Sequence, residues 1–266
     1  MTYDKHEVIL EAKNVGLAYD SKTILRDINL SIHNVVRPDV MQGQVVSLIG
    51  RSGIGKTQLF KILAGMKKPT TGTVIIGEDH HEVREGEVGV VSQNYILFNH
   101  RSIRRNLEIA LEHNENNYTT TDKANIIKDY GDKFNLTEHL DKYPQQLSGG
   151  QRQRVSILQQ AVTSNKFILL DEPFSGLDVL VIDKVVDLLL KISTLHELNT
   201  LIIVSHDIEN SLAISDTVFI MANQPGKEGA TITEKLDLMD MGFAWNPAIR
   251  NDHRFQDLVG QMKYKI

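Results

Sequence analysis

Apolar positions in the first third of the chain come in short runs. They predict strands at residues 8–10, 28–32, 45–49, 74–76 and 88–91. From residue 94 to about 160 the apolar spacing becomes helical, interrupted by a polar stretch at residues 112–117 that reads as a surface loop. Four more runs, at 167–170, 201–204, 218–221 and 231–233, are expected to complete a sheet, with a helix over 179–192 among them. Phe167, Ile168, Leu169 and Leu170 are continuously apolar, which suits a strand covered on both faces of a mainly parallel sheet. Asn223-Gln224-Pro225-Gly226 marks a turn. Beyond it, Trp245, Phe255, Leu258 and Val259 are expected to pack a short helical extension onto the core.

Composition narrows the function without naming it. The chain has 266 residues, long enough for one domain and a subdomain around a large core. No apolar stretch approaches the ~18–20 residues that cross a bilayer, and the polar start at residues 1–7 does not read as a signal peptide. A net charge of −5 argues against general attraction to nucleic acid or anionic lipid. With no cysteine, disulfides and thiol catalysis are excluded, and a reducing compartment is expected.

The first candidate chemistry is Gly50-Arg51-Ser52-Gly53-Ile54-Gly55-Lys56-Thr57, a G-x-x-x-x-G-K-[ST] loop. It follows the apolar run 45–49 and precedes Leu59, Phe60, Ile62 and Leu63 at helical spacing, giving strand, glycine loop and helix. The glycines allow tight turns and bring backbone N–H groups against the β- and γ-phosphates. Lys56 adds positive charge, and the Thr57 hydroxyl suits Mg²⁺. A helix dipole contributes about 0.3–1 kcal/mol at an exposed end, against about 1.5–3 kcal/mol for each hydrogen bond to a charged group. The amide cradle and Lys56 should therefore dominate triphosphate binding.

The run 167–170 delivers Asp171 and Glu172 to the C-terminal end of a strand, the edge at which open α/β sheets bind ligands. Asp171 suits the Mg²⁺ shell, and Glu172 suits polarisation of a water attacking the γ-phosphate. Leu147-Ser148-Gly149-Gly150-Gln151 lies between the phosphate loop and these acids. It precedes helical spacing through Arg152, Val155, Ile157 and Leu158, so the Ser148 hydroxyl and nearby amides can cap a helix or hold another anion.

These motifs, in this order, resemble the nucleotide-binding subunits of ATP-binding cassette transporters over about residues 8–221. The resemblance implies an α/β fold: a P-loop NTPase core with a mainly parallel sheet, an antiparallel β subdomain and an inserted α-helical subdomain at about 94–160. The ATPase domain would occupy 1–222 and a short extension 223–266. Tyr19 matches the aromatic that stacks on adenine, and Gln93 the glutamine that senses Mg²⁺ and the attacking water. Ser148, Gly149, Gly150 and Gln151 match the signature segment, Asp178 in Ser175-Gly176-Leu177-Asp178 the segment crossing between subunits, and His206 the switch histidine that contacts the γ-phosphate. Without the resemblance, Tyr19 reads equally as a half-buried strand-end aromatic and His206 as a structural residue.

The resemblance further implies a head-to-tail homodimer in which each signature closes over ATP and Mg²⁺ held by the other chain. It implies transmembrane permease subunits whose coupling helix docks near residues 95–105, where Phe98 and Ile103 are open to either a docking or a core role. Peripheral attachment to the cytoplasmic face of the cell membrane is expected, with no nucleic-acid partner. A free-standing cassette with Tyr143-Pro144 before the signature looks importer-like, which would add a solute-binding protein. The stretch 206–212 and the later Pro225-Gly226 are loosely similar to nitrate, sulfonate or taurine uptake ATPases. Two other classes compete. A soluble cassette protein acting on ribosome or DNA usually carries paired cassettes or a long coiled coil, and a P-loop kinase has no use for residues 147–151.

Two departures from the family are visible. His33, Asn34, Val35, Val36, Arg37, Pro38, Asp39, Val40 and Met41 lengthen the connection before the phosphate-loop strand and are expected to form an irregular surface insertion, with Arg37 near the nucleotide edge. Gln58 follows Thr57 where a small hydroxyl residue is common.

Overall fold

Two long strands, β1 (Asp4–Tyr19) and β2 (Lys22–Val36), open a computed structural model that describes residues 3–36, 43–114, 116–163, 166–177, 179–193, 200–246 and 248–266. They pair antiparallel from Asp4↔Val36 to Tyr19↔Lys22, closed by a turn in which Asp20 takes a left-handed φ of 50°. An acidic side chain tolerates that region better than a branched one. The expected strands 8–10 and 28–32 are the apolar centres of these longer elements. The expected irregular insertion is corrected at its start: His33, Asn34, Val35 and Val36 continue β2, with His33 opposite Val8 and Val35 opposite Lys5. Backbone pairing carries the strand past the end of the apolar run, and the Gln44 side chain donates to the His33 carbonyl at 2.7 Å. Arg37, Pro38, Asp39, Val40 and Met41 lie outside the described residues.

Next come β3 (Gln44–Ile49), α1 (Lys56–Leu63), β4 (Thr71–Ile76), β5 (His81–Glu82) and β6 (Gly89–Val91). The helical part contains α2 (Ile103–Glu112), α3 (Thr120–Lys133) and α4 (Gly149–Ala161). The chain closes with β7 (Phe167–Asp171), α5 (Val179–Ser193), β8 (Thr200–Ser205), α6 (Ile208–Ile214), β9 (Thr217–Asn223), β10 (Ala230–Asp237) and α7 (His253–Lys265). Among the described residues the strands form one ten-stranded sheet, ordered β5-β4-β1-β2-β10-β9-β3-β8-β7-β6. Its β9-β3-β8-β7-β6 portion is parallel, as the unbroken apolar runs require. The antiparallel portion joins it through Ala230 of β10 beside Leu25 of β2.

Three apolar clusters fix this arrangement. One packs Leu107, Leu111, Val155 and Leu158 of the helical part against Val91, Ile168 and Leu170. A second places Leu59, Ile62 and Leu63 of α1 between the β1–β2–β4 layer and the sheet centre at Leu48, Leu169 and Ile202. The third sets Phe255, Val259 and Met262 of α7 against Ile49, Val218 and Ile220, so the C-terminal segment is packed on the core. Ile103 is fully buried in the first cluster, whereas Phe98 is 45% exposed.

Asp216 ties the C-terminal segment to β3. It is fully buried, accepts from Val45 N at 2.8 Å and from Trp245 Nε1 at 2.5 Å, and its carbonyl accepts from Leu238 N at 2.9 Å.

Candidate functional site

Strands β3, β7 and β8 run side by side and parallel, so their C-terminal ends present Gly50, Asp171 and Ser205 to the same edge of the sheet. Between them opens a pocket of about 420 Å³. Ser52, Gly53, Gly55, Lys56 and Thr57 line it from the phosphate loop, Gln93 from the segment after β6, Asp171 from the end of β7, Glu172 from the residue after it, and His206 from the residue after β8. Ile24, Gln58 and Ser175 line it as well. The first was hidden within the β2 apolar pattern and the second was noted only as a departure, so neither carried a motif signal.

Gly53 and Gly55 have φ of 78° and 109°, backbone that only glycine adopts without strain. Gly55 caps the start of α1 in this conformation, and no side chain caps the helix's first amides. Lys56 is buried, and its Nζ donates to the carbonyls of Gly50 at 2.8 Å and Arg51 at 3.1 Å. It also stands 3.5 Å from Glu172 Oε1. Gly50, Arg51 and Ile54 do not line the pocket. A Cβ on Gly50 would sit 2.6 Å from the Met221 carbonyl, so this glycine serves close strand packing. Arg51 Nε donates to the Ile266 carbonyl at the end of α7.

The two acids have different surroundings. Burial holds the Asp171 carboxyl above the usual range, the neighbouring Glu172 charge adds to this, and Lys56, Lys61 and the Thr57 hydroxyl oppose it. Asp171 Oδ1 is buried and accepts no hydrogen bond among the described residues. An orphaned carboxylate oxygen beside a threonine hydroxyl is the hard-oxygen donor set that Mg²⁺ takes, so the residues fit that ion. Glu172 is held from three sides instead. Its Oε2 accepts from Ser205 Oγ at 3.1 Å, His206 N at 3.2 Å and His206 Nδ1 at 2.7 Å. Its φ of 51° is left-handed, a strain of about 1 kcal/mol or more that the Glu172 N to Val204 O bond at 2.8 Å helps hold.

Tyr19 ends β1, 45% exposed, and lies outside the pocket lining. Its hydroxyl donates at 2.8 Å to Gln58 Oε1, which belongs to that lining. The signature residues Ser148, Gly149, Gly150 and Gln151 also lie outside it, at the start of α4. There Ser148 Oγ accepts from Gln151 N and Gln151 Oε1 accepts from Ser148 N at 2.8 Å. Gln151 Nε2 lies 2.9 Å from Nε2 of the buried His139, a support that no sequence motif signalled. A Cβ built on Gly149 meets nothing within 4 Å, so the signature presents bare backbone to solvent. Asp178 lies outside the described residues.

The family model described as ABC transporter matches residues 33–175. A sulfate/thiosulfate import ATP-binding protein of Pectobacterium atrosepticum is 36% identical over 220 residues, covering 80% of this chain and 63% of its own. A spermidine/putrescine import ATP-binding protein of Spiroplasma citri is 36% identical over 80% of this chain and 59% of its own. A nitrate import ATP-binding protein of Synechococcus elongatus is 35% identical over 79% of this chain and 30% of its own. The chain thus spans less than two thirds of the length of these relatives. Among solved structures, cbiO1 from Clostridium perfringens, part of an ABC transporter complex, has TM-score 0.74 at 22% identity, covering 97% of this chain and 100% of its own. An ATP-binding cassette solved as a dimer with ADP and Pi has TM-score 0.68 at 23% identity, covering 86% and 99%.

Proposed function

This chain belongs to the ABC transporter family, and we propose that it binds and hydrolyses ATP to power a membrane importer. The observation that carries the reading is the single pocket lined by Lys56, Thr57, Gln93, Asp171, Glu172 and His206 at the edge of a parallel sheet.

Each residue then has a task that its surroundings suit. The loop amides and Lys56 hold the β- and γ-phosphates. Thr57, Asp171 and Gln93 would hold Mg²⁺, which when bound neutralises developing charge on the phosphate oxygens. Glu172 takes the proton of the attacking water, with His206 and Ser205 fixing its carboxylate. His206 Nδ1 is taken up by Glu172 at 2.7 Å, which leaves Nε2 as the ring atom that meets the γ-phosphate. Tyr19 stacks on adenine, and Asp178 contributes at the subunit boundary.

Ser148, Gly149, Gly150 and Gln151 have no place in their own chain's pocket. The exposure of Ser148 and Gly149 supports a second copy of the chain whose ATP they cover, and a cassette of the same fold was solved as a dimer. The names of the relatives support import, and a permease would dock on the exposed Ile96 and Phe98 beside Gln93. No described helix is long and apolar enough to cross a membrane, so attachment at the cytoplasmic face would run through the permease. Relatives named for sulfate, nitrate and polyamine import have nearly equal identity, so no one solute is carried over.

Purification of the tagged chain from its native membranes in mild detergent tests the transport reading. A co-purifying multi-span protein is expected, with a solute-binding protein beside it. Recovery of ribosomal or DNA-repair proteins alone would favour a soluble cassette.

A further inference from the structure

We propose that Gln58 is a positioning residue that fixes the Tyr19 ring and so sets how strongly this chain prefers a triphosphate carrying a purine base. The inference rests on the reading of Tyr19 as the adenine platform. Tyr19 is the last residue of β1, before a turn of only Asp20 and Ser21, and it is 45% exposed. A ring in that position rotates about two side-chain torsions unless something holds it. Two contacts do so here. The phenol donates to Gln58 Oε1 at 2.8 Å, and the Lys67 ammonium lies 4.6 Å from the ring centroid.

Gln58 is the third residue of α1, directly after Thr57, and it lines the same pocket as the phosphate loop. Its hydrogen bond therefore ties the ring to the element that begins at the phosphate cradle, fixing the span between base and phosphates. A serine or threonine at 58 lacks the length of the glutamine amide, so the departure at this position and the phenol on Tyr19 are complementary. A ring ordered beforehand spares the ligand that ordering, a gain of about three- to tenfold in affinity. The gain applies only to ligands with a base to stack.

The test titrates the purified full chain with ATP and with inorganic tripolyphosphate, both with Mg²⁺, by calorimetry. Gln58→Leu and Tyr19→Phe should each weaken ATP by about three- to tenfold and leave tripolyphosphate unchanged. The double variant should be no worse than either, since both remove one contact. Gln58→Glu keeps an acceptor and should restore the ratio of the two affinities, even where its charge weakens both. Gln58→Ser serves in place of leucine if the latter fails to fold. Equal weakening of both probes by Gln58→Leu, or unchanged ATP binding, would overturn the role of Gln58. If Tyr19→Ala itself leaves the ratio unchanged, the stacking assignment fails as well; a selective loss there beside a silent Gln58→Leu refutes the positioning role alone.

Discussion

Asp171 and Glu172 are neighbours in sequence and opposites in setting. Asp171 has a buried oxygen without a donor, and burial raises its carboxyl above the ordinary range. Glu172 has three donors on one oxygen. A carboxyl raised in the folded chain costs stability wherever it is ionised, and the cost vanishes as pH falls below both its folded and unfolded ranges. Asp171→Asn should therefore melt at a higher temperature than the parent near pH 7 without Mg²⁺, with the difference shrinking toward pH 4. The same variant should lose the Mg²⁺ dependence of ATP binding. Thermal melts across pH, with and without Mg²⁺, read both effects; a variant less stable than the parent at pH 7 would contradict the unpaired-carboxylate account. At this scale the motifs offered a legible set of candidates, because glycine, lysine and paired acids at fixed spacing have few other uses, and the fold brings Lys56, Thr57, Gln93, Asp171, Glu172 and His206 to one pocket. Gln58 was visible only as a departure, and Ile24 and His139 gave no signal, because what each contributes depends on neighbours that no motif specifies.

Among the elements, continuous apolar runs identified the buried parallel strands, since such strands have no solvent face to encode. Strands β1 and β2 were underestimated: their outer residues are held by backbone pairing, as at His33↔Val8, where alternation no longer shows. Pro38 drew the expected boundary too early, at a point where the chain was still extended. β5, two residues long, left no pattern to find. Of the residues expected to pack a C-terminal helical extension, Phe255, Leu258 and Val259 lie on α7 in the third cluster, whereas Trp245 precedes that helix and is held by its bond to Asp216; Asp216 gave no signal because a single aspartate after an apolar helix looks like any loop start. Removing its carboxylate strands the Val45 N–H and the Trp245 indole N–H together. Asp216→Ala should cost about 3 kcal/mol or more in denaturant unfolding, with Asp216→Asn costing less. A cost below about 1 kcal/mol for the alanine variant would mean that these bonds do not hold the C-terminal segment.

For the molecule as a whole, the fold divides the chemistry between two faces. The pocket holds the phosphate loop, both acids and His206, while the capped start of α4 presents Ser148 and Gly149 to solvent outside that pocket. The order of motifs along the chain made this legible only through the resemblance; spacing alone left open a simple serine-capped helix. In the proposed dimer, the two faces would close across a second copy over a nucleotide that is not consumed. Glu172→Gln keeps the side chain's shape and removes its ability to take a proton. Sedimentation velocity of the purified Glu172→Gln chain with ATP and Mg²⁺ therefore tests the account most directly. It predicts a stable dimer that reverts to monomer on removal of ATP, with turnover lost; a chain that binds ATP yet stays monomeric at every concentration, or a variant that hydrolyses ATP at the parent's rate, would contradict it.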